Sequence, residues 1–452
     1  MVVSWLMAGL LATGQTAESG APRRLPPAVI PAMPAASSSD ILPVRQDVVP
    51  RVPPNVTTPE KELEEGIQAG EEIEHKLFLM RILSGTAFHQ ETGIGARGYT
   101  QANYTVSNLT GQSVVRNNLP QAMNYMGNQF LLEQSSLTVE KLLDYDKKEF
   151  QWGFNLTALA GSDYRFTVSN NLADSQTRMN QGLPNTYGVD PMTQGYVNAW
   201  LPGLGDGTEV KIGKFWTPIC NESIDPTLTR NISRALTFMN NPFTHTGVLA
   251  TTKLNDRWTV MNGAVMGADV FFGPVARFNY LGGIKWEQEE AKNSVAFNAM
   301  IGPAEFNQYL NAANNFDVFE ILFTHKFTDK LSYTLDAMYS FENNFLGTVT
   351  SRDGSARVLN NEWAPWYGFI NYLNYDINDK WSTTSRVEFF DDAKGVRTGF
   401  VGLYSAFTQS LTWKIKEGFW FRTELRYDYA QSRAFQGNHG LFTLPFDFIV
   451  RY

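Results

Sequence analysis

The sequence predicts an all-β fold: a transmembrane antiparallel up-and-down β-barrel of about 16 strands, behind a proline-rich leader and one short helix. The first observation is strand periodicity. In FQWGFNLTAL, Phe150, Trp152, Phe154 and Leu156 share a face; in LSYTLDAMYSF, Leu331, Tyr333, Leu335, Ala337, Tyr339 and Phe341 oppose Ser332, Thr334, Asp336 and Ser340. FRTELRYDY is sharper still, with Phe421, Leu425, Tyr427 and Tyr429 on one side and Arg422, Glu424, Arg426 and Asp428 on the other. The second observation is the alternation of short and long connections. Tight ends recur at KLNDRW (253–258), KFTDKL (326–331), DINDKW (376–381), a looser KIKEGF (414–419), and near 144–148, 202–207 and 287–293. Long polar segments lie between them, as in a barrel whose two rims face different compartments. The third is that Trp152, Trp258, Trp286, Trp381, Trp413 and Trp420 all lie close to short turns, where an interfacial aromatic belt would sit.

Taken in order, MVVSWLMAGLLA supplies a short apolar stretch with small residues from Ala12 to Gly14, so residues 1–20 read as a signal peptide, without the usual preceding Lys or Arg. Residues 21–57 are dense in proline and read as a semi-rigid linker. Residues 58–82 place Leu63, Ile67, Ile73, Leu77 and Met80 roughly at helical spacing among glutamates, an amphipathic helical segment. Gly66 and Gly70 interrupt it, which favours a solvated spacer over a coiled coil. The barrel is expected over 95–452, with strands at 97–106, 128–140, 149–160, 195–201, 208–216, 247–254, 257–267, 278–287, 293–301, 316–327, 330–341, 365–377, 380–391, 398–415, 418–430 and 440–452. Fourteen or 18 strands would suit the same pattern. In the last, Phe442, Leu444, Phe446, Phe448, Val450 and Tyr452 oppose Thr443, Asp447 and Arg451, as expected of a strand that seals the barrel against the first.

Composition excludes several classes. Charged residues are 18% of the chain, against a typical value of about 25%, yet no long apolar run suits a membrane helix. A net charge of −8, with no basic stripe, argues against nucleic acid as a partner. The single Cys220 excludes an intrachain disulfide. His75, His89, His245, His325 and His439 are scattered without ligand spacing, so neither a metal nor a cofactor is expected.

Several stretches, GYVNAWLPG, VKIGKFWTP, NESIDP, NPFTHTGVLAT, GGIKW, VEFFDDAKGVRTGF and FRTELRYDY followed by GNHGLFT, resemble the OmpL-like β-barrel porin family, over roughly Gly95 to Tyr452. The resemblance implies an outer-membrane barrel and a channel. It brings no catalytic or ligand-binding residues. The aromatic last residue, Tyr452, is similar to the C-terminal signal of outer-membrane proteins, which implies the barrel-assembly machinery as a partner during biogenesis.

A barrel of this size leaves an aqueous lumen, so its inward positions should be polar. Arg386, Glu388, Arg422, Glu424, Arg426 and Asp428 are expected to line the pore as a field of mixed sign. The connection TPICNESIDPTLTRNISRALTFMNNPFTHTG is the candidate for a constriction loop, carrying Glu222, Asp225, Arg230 and Arg234; by analogy with sixteen-strand porins, Glu222 and Asp225 would face the wall arginines and set an eyelet. The expected function is passive diffusion of small hydrophilic solutes or ions across an outer membrane, with a homotrimer as a further expectation from porin-like barrels. The alternative is a tethering or adhesin barrel without an open pore. A hydrolase reading rests on Asp391 and Asp392, or on Ser432 with His439. Adjacent strand residues point to opposite faces, so the two aspartates do not make a catalytic pair and read as a turn, with Arg397 as a partner. GIGARG at 93–98 lacks the spacing of a nucleotide-binding loop.

Overall fold

The computed structural model describes residues 77–84, 86–109, 118–172, 186–272, 277–288, 291–303, 305–307, 312–416 and 418–452. The expected signal peptide and linker, and the Glu-rich segment as far as residue 76, lie outside the described residues. Within them, two helices come first, α1 (Phe78–Ser84) and α2 (Ala87–Thr92). Thr86 caps α2, its hydroxyl accepting from the His89 N–H at 3.2 Å, and Gly93 ends the helix at φ +71°.

The strands are β1 (Ile94–Ser107), β2 (Phe130–Lys141), β3 (Gln151–Gly161), β4 (Gly188–Leu201), β5 (Thr208–Trp216), β6 (Thr244–Asn255), β7 (Trp258–Val265), β8 (Asn279–Glu287), β9 (Asn293–Ile301), β10 (Glu305–Asn307), β11 (Ala312–Asn314), β12 (Phe316–Lys326), β13 (Leu331–Thr350), β14 (Ala356–Asn378), β15 (Trp381–Asp392), β16 (Gly402–Lys416), β17 (Phe419–Ala430) and β18 (Gly440–Arg451). β10 and β11 form a separate two-stranded ribbon, and the other 16 close into one antiparallel barrel, each paired with its neighbours in sequence and β18 with β1. Closure leaves no strand edge unpaired.

Period-2 alternation sets the two faces. Exposed Phe389, Phe407, Leu425, Tyr427, Tyr429, Phe448 and Val450 point outward, while Arg386, Glu388, Arg422, Arg426 and Asp447 point in and are buried. The short turns share one device. Asn255 accepts from the N–H groups of Arg257 and Trp258 (2.9 and 3.1 Å), Asn378 from Lys380 and Trp381 (3.0 and 3.1 Å), and Thr328 from Lys330 and Leu331 (3.2 and 3.0 Å). The repeated N-D-R-W, N-D-K-W and T-D-K-L sequences are therefore side-chain-closed turns. Tryptophans flank this rim: Trp258 pairs with Trp286, and Trp381 stacks on Trp413 at 5.2 Å with rings 4° from parallel.

The seam is fastened on both faces. Gly98 and Tyr452 exchange backbone bonds of 2.8 and 2.9 Å, and the terminal ring lies over Gly98, where a Cβ would meet it at 2.4 Å. The Tyr452 hydroxyl reaches Thr100 at 3.2 Å and Ser135 at 3.4 Å. Inside, Asp447 accepts from Gln101 of β1 at 2.7 Å and pairs with Arg422 of β17 at 2.5 Å, so one carboxylate joins three strands.

Four strand expectations are corrected. The strands expected at 330–341 and 365–377 run on to Thr350 and back to Ala356, so most of ENNFLGTVTSRDGSARVLNNEW is hairpin, not loop. Register shifts around Phe345, with Asn344 and Asn361 at φ +56° and +59°, break the alternation that the sequence reading followed. The strand expected from residue 195 starts at Gly188, past an irregularity opposite Thr157 and Leu159. The one expected from 398 starts at Gly402, because Asp392 accepts from the backbone N–H groups of Val396, Arg397 and Thr398 (2.9, 2.9 and 2.8 Å) and turns that segment inward.

We expect Tyr452→Ala and Gly98→Leu each to remove the ring contact and lower unfolding stability by about 1–3 kcal/mol, on the scale of a lost aromatic anchor. Urea titration in detergent, read by the heat-modifiable band shift, checks this; wild-type midpoints in both would show that the ring does not hold the seam.

Candidate functional site

Residues 217–243, between β5 and β6, contain Pro218, Pro226 and Pro242 and no sustained alternation, so they cannot join the barrel ladder. They enter the lumen instead, and nearly every residue is buried there. The loop carries one helical turn, α4 (Leu236–Met239). Irregular backbone away from water needs other partners, and the barrel wall supplies them.

Wall carboxylates accept loop N–H groups. Glu320 of β12 takes Cys220 N–H at 2.6 Å, Asp336 of β13 takes Asn221 at 3.0 Å, Glu424 of β17 takes Ile232 at 2.8 Å and Ser233 at 3.3 Å, and Glu388 of β15 takes Leu236 and Thr237 at 2.9 and 2.6 Å. Wall arginines donate to loop carbonyls. Arg422 reaches Pro226 and Thr229, both at 2.9 Å, Arg386 reaches Ser233 at 2.8 Å, and Arg426 reaches Arg234 at 2.6 Å. Gln134 of β2 and Asn298 of β9 add bonds to the carbonyls of Ile224 and Pro218, at 3.2 and 3.3 Å. The loop is thus held from β2, β9, β12, β13, β15 and β17, along one arc of the barrel wall.

An apolar seat completes the fit. Leu281, Met300 and Val318 are inward, adjacent across β8, β9 and β12, and fully buried, with Met338 and Ile370 beside them. Ile219, Leu236, Phe238, Met239 and Phe243 of the loop belong to the same buried cluster. A Cβ at Gly368 would meet Thr237 at 2.1 Å, so the loop lies directly on the β14 backbone. Both loop ends are pinned: His245 Nε2 lies 2.7 Å from the Thr217 hydroxyl, and Asp269 accepts from Phe243 and Thr244 N–H at 3.1 and 2.8 Å.

The sequence-selected residues fall as follows. Arg386, Glu388, Arg422, Glu424, Arg426 and Asp428 all face inward, but none lies open on the lumen wall: each is at most 1% exposed. The loop covers the first five. Asp428 binds Arg426 at 2.6 Å and Gln121 at 2.7 Å, the latter from residues 118–126, which are also buried inside. Glu222 pairs with Arg386 at 2.5 Å and accepts from Tyr372 at 3.0 Å and from Ala235 N–H at 2.8 Å. Asp225 makes its hydrogen bonds locally, accepting from Thr227 N–H at 2.7 Å rather than from a wall arginine. Arg234 staples the loop internally, donating to Ile232 and Ile224 carbonyls at 2.7 and 2.9 Å. Arg230 extends towards the short-turn rim and pairs with Asp376 through two bonds of 2.6 and 3.0 Å.

Sequence reading missed Glu320, Tyr372, Asn298, Gln134, Gly368 and the apolar seat. A charge inside the apolar run VFEILF was the one available signal, for Glu320. Arg397 pairs its guanidinium with Glu342 at 2.9 Å and donates its backbone N–H to the Asp392 carboxylate at 2.9 Å. His439 bonds to the Ala430 carbonyl at 2.9 Å and lies against Tyr429, so it is occupied away from Ser432.

Cys220 sits at φ +100°, a conformation a non-glycine residue adopts only when its surroundings impose it. Its N–H is held by Glu320 and its thiol donates to Asp336 at 3.2 Å. Burial, then the nearby Asp336 and Glu320, push the thiol well above its ordinary range, so it remains an S–H donor. Asp163, just before the short helix α3 (Tyr164–Thr167), is pushed up to about 6 by burial, against hydrogen bonding from Gln134 and attraction to Arg234.

Residues 93–451 match the model of the family described as "Putative beta-barrel porin-2, OmpL-like". The chain belongs to this family. No curated protein matches it in sequence. Among solved structures it is similar to the outer membrane channel DcaP of Acinetobacter baumannii, at 10% identity and TM-score 0.50, covering 79% of this chain and 97% of that one. It is also similar to an anion-selective porin from Comamonas acidovorans, at 8% identity and TM-score 0.51, covering 79% and 99%. At such identities the likeness is one of fold. Family and fold together make this OmpL-like barrel an outer-membrane, porin-type protein, with its apolar exterior towards lipid.

Cys220 reports on loop seating. It should resist maleimide in the folded barrel and become reactive in Gly368→Val, which displaces Thr237, and in Glu424→Ala, which strands two loop N–H groups at about 3 kcal/mol or more. Protection retained in both variants, with a normal heat-modifiable band, would show that these contacts do not seat the loop.

Proposed function

We propose that this OmpL-like barrel is a passive channel for small hydrophilic solutes or ions, with residues 217–243 restricting its width. The observation that carries the reading is the part of the inner wall that the loop leaves uncovered. Thr259 and Gly263 of β7, Gly283 and Lys285 of β8, and Ser294 and Ala296 of β9 face inward and remain half-exposed. These side chains are small or polar, and Lys285 is paired with Glu287, so the strip offers water a surface without a net charge. This wall would form the short-turn vestibule of the solute path and ends at the apolar seat of Leu281 and Met300, where the loop sets the width. Selection then rests on width and on the sign of charge near the loop, with no chemistry performed.

A second reading, a tethering barrel without an open pore, is favoured by a different observation. Met123, Tyr125, Met126, Tyr164 and Phe166, which precede or follow β2 and β3, join the buried cluster inside the barrel and fill part of its long-loop half. Conductance decides between them.

Refolded protein in a planar bilayer should give stable unit steps. Arg422→Glu combined with Arg426→Glu should raise the step size, by freeing the loop, and move the reversal potential in a salt gradient towards cation preference. A folded barrel that never conducts would overturn the channel reading, and unchanged steps and potential in the double variant would exclude these arginines from control of the path.

A further inference from the structure

At the short-turn rim, the inward positions of β16, β17 and β18 bring Lys414, Trp420 and Arg451 together. Lys414 and Trp420 are register partners, and Trp420 is the partner of Ile449, one inward step from Arg451. The Lys414 ammonium and the Arg451 guanidinium each lie 5.4 Å from the centre of the Trp420 ring. Among the described residues, Lys414 has no carboxylate within ion-pairing distance. The charges that act on it are Arg230, Arg451, Asp376 and Asp379, and Asp376 is already held by both arms of Arg230. Arg97 lies nearby on β1, paired with Glu140. Lys416, in the same turn as Lys414, is exposed.

The chain reaches the barrel at this rim. Leu77 is 5% exposed and its Cδ2 lies 3.3 Å from where a Cβ would stand on Gly418, in the β16–β17 turn. Gly418 in turn accepts from the Arg451 N–H at 2.8 Å. The 18 residues before Leu77, PEKELEEGIQAGEEIEHK, hold seven glutamates and two lysines, a net charge of 2 − 7 = −5 with His75 neutral. At about 3.4 Å per residue, Glu74 is tethered within roughly 10 Å of Leu77 and Glu71 within roughly 20 Å. A tether this short gives a local concentration on the order of millimolar, enough for a weak charge contact to be occupied.

We propose that the acidic segment Glu60–Glu74 of this same chain docks on the Lys414–Trp420–Arg451 patch, with Glu71, Glu72 and Glu74 against the two cations. Complementary charge and the point of attachment both select this occupant over an external acidic peptide. Docking sets the sign of charge over this patch of the short-turn rim, cationic with the segment away and anionic with it in place. The contact does not depend on whether the barrel conducts.

Carbodiimide, which joins a carboxylate to an amine at contact, tests this on the full chain in proteoliposomes made from a mixture of isotopically heavy and light protein. The expected product is a link from Glu71, Glu72 or Glu74 to Lys414 within one chain, its yield falling at least about tenfold from 50 mM to 1 M salt as screening shortens to about 3 Å. Arg451→Glu should lower the Lys414 link at least about fivefold, and adding Glu71→Lys with Glu72→Lys should restore a link in the reversed sense, from the carboxylate introduced at position 451 to the amines introduced at positions 71 and 72; the heat-modifiable band shows that each variant has folded. Mixed heavy–light links alone would assign the segment to a second copy and overturn the proposal. Links confined to other lysines such as Lys147 or Lys380, or none at low salt, would overturn it as well. Should the Arg451 variant not fold, the salt series and the heavy–light pattern of the wild-type chain still decide.

Discussion

Everything inside this barrel depends on one requirement: a long stretch of irregular backbone, taken out of water, must find hydrogen-bond partners for its N–H and C=O groups. The wall meets it with a division of labour. Carboxylates, which only accept, stand opposite loop N–H groups, as Glu320, Asp336, Glu388 and Glu424 do; arginines, which only donate, stand opposite carbonyls, as Arg386, Arg422 and Arg426 do. The guanidinium donors make bonds stronger than amide-to-amide ones. The charges also satisfy one another, Glu222 of the loop with Arg386 of the wall and Asp447 with Arg422 within the wall, so few are left needing solvent.

The same requirement explains why the apolar seat exists. Hydrogen bonds alone would hold the loop about as well as water holds it, because most of their energy is exchanged rather than gained. Burying Phe238, Phe243 and Ile219 against Leu281, Met300 and Val318 supplies the net driving force, and the charged bonds then decide where the backbone sits. A lumen wall of uniform polarity would leave such a loop outside.

How much of this was legible in the sequence follows from which distances matter. Alternation in FRTELRYDY and in the final strand exposes the outward face because lipid demands an unbroken apolar row, and the side-chain-closed turns recur as N-D-R-W, N-D-K-W and T-D-K-L because each is a local device. The inward face carries no such uniform demand. Leu281, Met300 and Val318 look like ordinary strand residues until register aligns them, and Asp336 is readable as inward but not as the partner of Asn221, more than a hundred residues earlier. Asn344 and Asn361 hid the long hairpin by putting extra residues into an alternating run. Glu222 and Asp225 were set against the wall arginines by analogy with sixteen-strand porins, and the sequence had no means of showing that Asp225 would turn back on its own backbone.

The seam has a consequence for the order of assembly. Every other strand pair in the barrel joins neighbours along the chain, whereas β1 and β18 meet across almost the whole barrel sequence, with Thr100 and Tyr452 separated by 352 positions. Hairpins with local contacts form early, and a pairing of such separation waits for all of them. Until it forms, β1 and β18 are two bare edges, each able to accept the wrong strand. Gly98 and Tyr452 act at that step: a ring that fits only over a residue without a side chain distinguishes β1 from every other edge that β18 could meet, so the contact that fastens the seam also selects the partner with which it closes.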